Sequence, residues 1–352
     1  MEHDTRHHRG VGRVINTWLP GLLPLLALAV VTVLLPGWRS WLLSHQVVDQ
    51  PGMRRSHSQV TPRGGGVIMA LGLGLLALGL VFIEPRVAGL LLFVVLLTAV
   101  PGWLDDRASL PIRRRLLIQA CFAFGLILSQ GLPVQVSLGP VTLSGQLLLG
   151  VLAGLAIVWM VNLHNFMDGA DGLASQQAVV QGGLYALLFW QSDQPELAIV
   201  ALGLVAVALG FLRFNRPPAS LFMGDSGSLL IGGLVAWFAL AALQTGAAGL
   251  LLCLLISSLF VVDSTLTLLR RLAKRQPWYT PHREHAYQVL LARGASHGKV
   301  LTIYVSINLG LVVPACVAAM RFPVWQGWIV SGVMIVLIAA WVFVQRNRHG
   351  ES

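Results

Sequence analysis

Apolar residues run along this chain in blocks of about twenty, parted by short polar loops. A hydrocarbon core is crossed by roughly 20 apolar residues per helix. About eleven blocks approach that length: residues 18–37, 64–83, 87–104, 115–131, 145–162, 174–191, 196–212, 226–243, 247–269, 300–319 and 325–344. The pattern predicts an all-α polytopic membrane protein of about eleven transmembrane helices. No signal-peptide cleavage pattern precedes the first block, so it is expected to remain as a spanning helix. Residues 133–144 instead alternate around Gly139-Pro140, which predicts a small β-hairpin, with an unstructured loop as the competing reading. Residues 38–47, with Trp38 and Trp41, read as a short interfacial helix. No internal repeat is visible, so the expected organisation is a tail at 1–17, one transmembrane domain at 18–344 and a C-terminal tail at 345–352.

Composition agrees with lipid as the main solvent. Hydrophobic residues make up 56% of the chain and charged residues 11%, against about 25% charged in soluble domains. No polar stretch is long enough to form a soluble domain. Cys121, Cys253 and Cys316 lie in apolar runs, without metal-like spacing or a disulfide framework.

A net charge of +10 could suggest a nucleic-acid partner, but the placement of the charges argues for the membrane. Nineteen of the 24 Lys and Arg fall in the loops after the odd-numbered blocks and at the C-terminus. Only Arg86 and Arg321 fall in the loops after even-numbered blocks. The positive-inside rule puts the odd loops and the C-terminus in the cytoplasm and the N-terminus in the periplasm. Arg6, Arg9 and Arg13 in the N-terminal tail dissent. The hairpin is then periplasmic.

The acids follow the same division. Asp49, Asp105, Asp106, Asp168, Asp171, Asp225, Asp263 and Glu284 all fall in the cytoplasmic loops or at helix ends beside them, Asp263 deepest. Carboxylates beside a bilayer are costly and therefore candidates for function. So many negatives on one face would repel, and a divalent cation or nearby arginines would relieve them.

Four loops carry candidate chemistry. GWLDDRASLPIRRR, residues 102–115, pairs Asp105 and Asp106, which point in different directions along a helix. One can face a metal or phosphate while the other holds a neighbour; Arg113 and Arg115 follow within reach of phosphates, and Arg114 reads as a membrane anchor. NLHNFMDGADGLAS, residues 162–175, has no Lys or Arg. Asn165, Asp168 and Asp171 recur every third residue, on one face if helical, and such oxygens suit a hard cation. In residues 213–233, RFNRPPASLFMGDSGSLLIGG, Gly224, Asp225 and Ser226 open a helix whose free N–H groups suit a phosphate or a capping carboxylate. The longest polar loop contains RQPWYTPHREHAYQ, residues 275–288, where a helix starting at Pro281 would turn His282 and His285 to one side and Arg283 away. No HExxH pattern or third zinc ligand accompanies the histidines, and phosphate contact is the better reading.

Five pieces in order resemble the polyprenyl-phosphate N-acetylhexosamine-1-phosphate transferases of glycosyltransferase family 4. They are the DxPxxRxxHxxxTPRGGG-like stretch of residues 49–66, LDDR at 104–107, NxxNxxDGxDGL at 162–173, FMGDSGS at 222–228 and the histidine loop. HREH departs from the HxH or HHH of other branches and is similar to the branch that initiates O-antigen or related surface polysaccharides. Arg113 stands where many members have Lys.

The resemblance implies a multi-pass enzyme of the bacterial inner membrane with its active site on the cytoplasmic face. It would move an N-acetylhexosamine-1-phosphate from a UDP-sugar to undecaprenyl phosphate and release UMP. Mg²⁺, with Mn²⁺ as a substitute, would be held by Asp225 and Asn165. Asp105 and Asp106 would organise the acceptor phosphate, with Asp105 a candidate base. Asp168 and Asp171 would shape the nucleotide and metal site. Arg113, His282, Arg283, His285, Asn162 and Gly224 would contact substrate, and the histidine loop would close over the nucleotide-sugar. A homodimer is a compatible assembly. The rival class is a secondary transporter, which would put its acids near the bilayer midplane.

Overall fold

The computed structural model describes residues 5–49, 60–132, 135–138, 141–277 and 282–346. The chain is helical almost throughout, and every apolar block coincides with a helix. These are α1 (Thr5–Ser44), α2 (Gly66–Leu80), α3 (Pro85–Arg107), α4 (Ile112–Gln130), α5 (Gln146–Phe166), α6 (Leu173–Gln191), α7 (Pro195–Asn215) and α8 (Asp225–Thr245). The broken pair α9 (Leu250–Ile256) and α10 (Ser258–Ala273) follows, then the short α11 (Ala286–Ala292). The ninth block alone is split: α9 and α10 meet at an angle of 87°. The tenth is α12 (His297–Ile307), a π-helical turn (Asn308–Val312) and α13 (Val313–Arg321); α14 (Gln326–Arg346) is the eleventh.

Among the described residues, seven helical stretches are long and apolar enough to cross a membrane, and the bent α9–α10 pair makes an eighth if counted as one span. The chain is therefore an all-α multi-pass membrane protein. Helix α2 has only 15 residues. Helix α4 carries Arg113, Arg114 and Arg115 in its first turn, and α6 carries Gln176, Gln177 and Gln181, which lowers their hydropathy. Lipid-facing positions are apolar, as at Leu25, Leu128 and Phe343.

Among the described residues, two small sheets interrupt the helices. Strands β1 (Val48–Asp49) and β2 (Thr61–Pro62) pair antiparallel. Strands β3 (Gln135–Leu138) and β4 (Val141–Ser144) form the expected hairpin; its Gly139-Pro140 turn lies outside the described residues. One expectation is corrected. Residues 38–44 form no separate interfacial helix but continue α1, which puts the stacked Trp38 and Trp41 on its last turns. The N-terminal tail is helical from Thr5 onward.

Helix α8 is the centre of the bundle, packed on α2, α3, α4, α5, α6 and α7. Small residues let it approach: a Cβ on Gly66 or Gly102 would collide with the backbone at Asp225–Gly227. Such close backbone contact is the usual way helices associate where lipid removes the hydrophobic drive. The C-terminal ends of α3 and α5 and the N-terminal end of α8 consequently meet at one end of the bundle.

Candidate active site

At that meeting point Gly224 adopts φ +76°, a backbone a side chain would strain, and a Cβ there would strike the Asp106 carboxylate. The tight turn aims the first N–H groups of α8 at Asp106: Asp225 N–H donates to Oδ1 at 2.8 Å and Ser226 N–H to Oδ2 at 3.1 Å. Asp106 thus caps α8, and its side chain is 0% exposed. Asp105 turns the other way, accepting from Leu110 N–H at 2.5 Å and from Arg115 Nε at 3.1 Å, with Arg115 Nη2 on its second oxygen. The expected divergence of the two aspartates holds, but both hold neighbours, and neither presents its carboxylate to the main cavity.

That cavity, of about 530 Å³, is lined by Asp49, Arg63, Asn165, Asp168, Asp171, Gly224, Asp225, Arg283, Gln288 and His297, among others. Asp225 is the polar hub. Its Oδ1 accepts from Arg63 Nη2 and from Asn165 Nδ2, both at 3.0 Å, and its Oδ2 lies 3.5 Å from Arg115. Asn165 also donates to Ser228 Oγ at 3.0 Å, so its amide nitrogen is spent and its carbonyl oxygen is left for a ligand. Asp168 is half-buried in the wall, and its carboxylate accepts no hydrogen bond among the described residues. Burial and then the charge of Asp225 hold its pKa well above the usual carboxylate range. Asp171 is occupied: Oδ2 accepts from Ala219 N–H at 2.9 Å, and Oδ1 lies 3.1 Å from His297 Nδ1.

Arg63 reaches the hub from β2. A parallel bridge joins it to Phe222, and the N–H groups of Gly64 and Gly65 donate to Phe222 O, which ties this segment to the loop before Asp225. Its Nε donates to Asp106 at 2.6 Å. Burial pulls against its charge, but Asp106 and Asp225 outweigh that and raise its pKa.

Four of the expected substrate residues, Arg113, Asn162, His282 and His285, do not line the main cavity. Arg113 is exposed and lines neither cavity; with about 100° per helical residue, the first turn of α4 sends Arg115, not Arg113, to the site. Asn162 pairs with Gln119, its Nδ2 donating to Oε1 at 2.6 Å. It lines only a second cavity of about 20 Å³, shared with Asp105, Arg115 and Asn165 and roomy enough for about one water. The histidine loop is not helical from His282 to Glu284; α11 begins at Ala286, and Pro281 lies outside the described residues. His282 and His285 still neighbour each other, ring centres 5.0 Å apart, but neither lines the cavity. His285 is 3% exposed, stacked between Phe166 and Tyr287. Among the described residues of this loop, Arg283 and Gln288 face the cavity. The loop is tethered by Arg271 Nη1 to Glu284 at 2.5 Å and by Gln345 Nε2 to Glu284 O at 2.7 Å. Asp263 caps α11 as Asp106 caps α8.

Sequence reasoning did not single out Arg63, His297 or Gln288. Arg63 sits inside the TPRGGG stretch, and that was the only available signal. His297 opens α12, far from any motif.

The donor set suits a hard cation: Asp225, the Asn165 carbonyl and Asp168 are oxygens. Among the described residues no three Asp, Glu, His or Cys side chains form a closed cage. Mg²⁺ commonly takes one or two carboxylates and fills its shell with water and substrate phosphates.

Carboxylate, amide and guanidinium groups thus gather around one cavity at helix ends of a multi-pass membrane bundle. Residues 88–243 match the glycosyl transferase family 4 model. Over 293 residues the chain is 32% identical to a probable undecaprenyl-phosphate N-acetylglucosaminyl 1-phosphate transferase of Bacillus subtilis, covering 80% of each. It is 30% identical over 274 residues to a phospho-N-acetylmuramoyl-pentapeptide-transferase of Geobacillus kaustophilus, covering 71% of this chain and 81% of the relative. It is 28% identical over 267 residues to an undecaprenyl-phosphate alpha-N-acetylglucosaminyl 1-phosphate transferase of Yersinia pestis, covering 70% of each. The chain belongs to glycosyl transferase family 4, the polyprenyl-phosphate N-acetylhexosamine-1-phosphate transferases.

Proposed function

We propose that this enzyme transfers an N-acetylhexosamine-1-phosphate from a UDP-sugar to undecaprenyl phosphate, releasing UMP, in the first membrane step of O-antigen or a related envelope polysaccharide. One observation carries the reading: Asp225, Asn165 and Asp168 share a single cavity with Arg63 and Arg283. The activities named for the Bacillus subtilis and Yersinia pestis relatives support it.

An oxygen of the lipid phosphate attacks the β-phosphorus; that P–O bond forms as the bond from β-phosphorus to the bridging oxygen breaks, and UMP leaves with the electron pair. A phosphate monoester has a second pKa of about 6, so the nucleophile is largely dianionic and needs no base. Asp105, closed off by Arg115 and Leu110, positions Arg115 rather than taking a proton. Asp225 and the Asn165 carbonyl would hold Mg²⁺, with Asp168 beside them. When bound, the ion neutralises the pyrophosphate and the charge developing on UMP. Arg63 and Arg283 bind phosphate oxygens from either wall, and Asp171 orients His297 toward the nucleotide. Catalysis is then mainly positioning and charge neutralisation.

The orientation follows from the arginine and lysine distribution: eleven crossings of one domain over 18–344, the hairpin in the periplasm and the cavity facing the cytoplasm of a bacterial inner membrane. Acids gathered at one end of the bundle favour an interfacial enzyme over a carrier with a midplane site.

The test is purified protein with undecaprenyl phosphate, Mg²⁺ and a panel of UDP-sugars, UDP-GlcNAc first. UMP release that requires lipid, sugar nucleotide and Mg²⁺ together is expected. Solute uptake into vesicles without UMP release would overturn the assignment.

A further inference from the structure

Arg63 stands where two functions of the site overlap. Its backbone is clamped to the loop before Asp225, and its Nε rests on Asp106, an oxygen group sealed from solvent. The other edge of the guanidinium is partly exposed to the cavity and spans 3.0 Å to Asp225 Oδ1. Arg115 approaches the second oxygen of Asp225 at 3.5 Å. The carboxylate assigned above to the divalent ion therefore carries a guanidinium on each oxygen. A divalent cation beside an arginine at such range meets strong repulsion, so one arginine must give way. Arg115 is gripped twice by Asp105 and does not line the main cavity. Arg63 has a separate anchor and open space in front of it.

We propose that Arg63 is the resident counter-cation of Asp225. It neutralises that carboxylate before the divalent ion arrives and yields it when the ion binds. Still held through Nε to Asp106, it then turns its free Nη groups to the pyrophosphate of the nucleotide. Metal and nucleotide binding become positively coupled, because the nucleotide takes up the guanidinium that the metal displaces. A lysine could not replace it, since an ammonium has no second edge with which to stay anchored. The proposal rests on Asp225 being the metal ligand. The competing account is that Arg63 is a fixed tie between β2 and α8.

The full chain in detergent decides the matter by Mn²⁺ binding, read from the EPR signal of free Mn²⁺ without nucleotide. Arg63→Gln should bind Mn²⁺ about tenfold more tightly than the native enzyme, because a competing charge is gone. At saturating Mn²⁺ it should bind UDP about tenfold more weakly. Mn²⁺ affinity that is unchanged or lower overturns the counter-cation role. Asp225→Asn separates this from the underlying assignment. If Asp225→Asn loses Mn²⁺ while Arg63→Gln binds it as the native protein does, only the counter-cation role fails. If Asp225→Asn binds Mn²⁺ normally, the metal assignment itself fails. A second measurement needs no variant. Phenylglyoxal modification of Arg63, followed by peptide mass spectrometry, should speed up when Mn²⁺ is added and slow again with UDP. Equal rates with and without Mn²⁺ indicate a fixed tie and overturn the proposal.

Discussion

The Asp263 carboxylate accepts the backbone N–H of Ala286, 2.8 Å to Oδ1 and 3.1 Å to Oδ2. Asp263 also accepts from Tyr304 Oη at 3.0 Å and Thr267 Oγ1 at 3.3 Å. Asp263, on α10, is thus the cap that sets where α11 begins and with it the placement of Gln288. Asp263→Ala leaves several buried donors without an acceptor and should cost about 3 kcal/mol of stability. It should also weaken UDP binding by displacing the loop. Melting curves and UDP titrations on one preparation read out both effects.

His285 and Arg283 should separate in their effects. His285→Ala removes a buried, stacked ring and should lower stability by roughly 1–3 kcal/mol, with kcat/KM of the surviving fraction little changed. Arg283→Ala should leave the melting temperature nearly unaltered and raise KM for the UDP-sugar about tenfold. A kinetic defect in His285→Ala at unchanged stability would restore the closing-loop expectation.

Gly224→Ala should disable the enzyme through its backbone. The side chain strikes Asp106 at a left-handed position, so the α8 cap and the Asp225 orientation suffer together. A stability loss of about 1–3 kcal/mol with loss of turnover is expected. Gly246, also at positive φ but with open space around it, is the control: Gly246→Ala should keep full turnover.

Asp168 makes the metal-free protein sensitive to pH. Its folded pKa is raised by burial and by Asp225. Between the unfolded pKa, about 4, and the folded value, the folded state holds more protons than the unfolded one. Stability from this group is complete below the unfolded pKa and is lost as pH rises through the folded one. Asp168→Asn should flatten the fall in melting temperature between acid and neutral pH in the presence of a chelator. A slope identical to the native protein would show that Asp168 titrates normally.

Reporter fusions after Gln130 and after Arg275 should fall on opposite sides of the membrane, because the proposed crossings place the first in the periplasm and the second in the cytoplasm. Both on one side would break the eleven-crossing topology.

The helices were legible because a block of apolar residues beside lipid has few alternatives to helix. The 87° break at Ser257–Ser258 was not, since the apolar run continues across it. Asn165, Asp168, Asp171, Gly224 and Asp225 were found because each lies in a short polar stretch at a helix end. Arg63 was missed because its partners are 43 and 162 residues away, and no local pattern records that distance. Arg113 and Arg115 were not separable in the sequence, because the start of α4 fixes which way each side chain leaves the helix. That Asp106 caps α8 was not legible, because a cap shows only when the N–H groups facing it are located.

The bond from Gln345 to the Glu284 carbonyl joins residues 61 apart in the chain. The wall carrying Arg283 is held by Arg271 and Asp263, which precede it, and α14 adds a further tie from the far end of the sequence. Loss of the Gln345 amide should therefore loosen this wall without releasing it, because the ties from Arg271 and Asp263 remain.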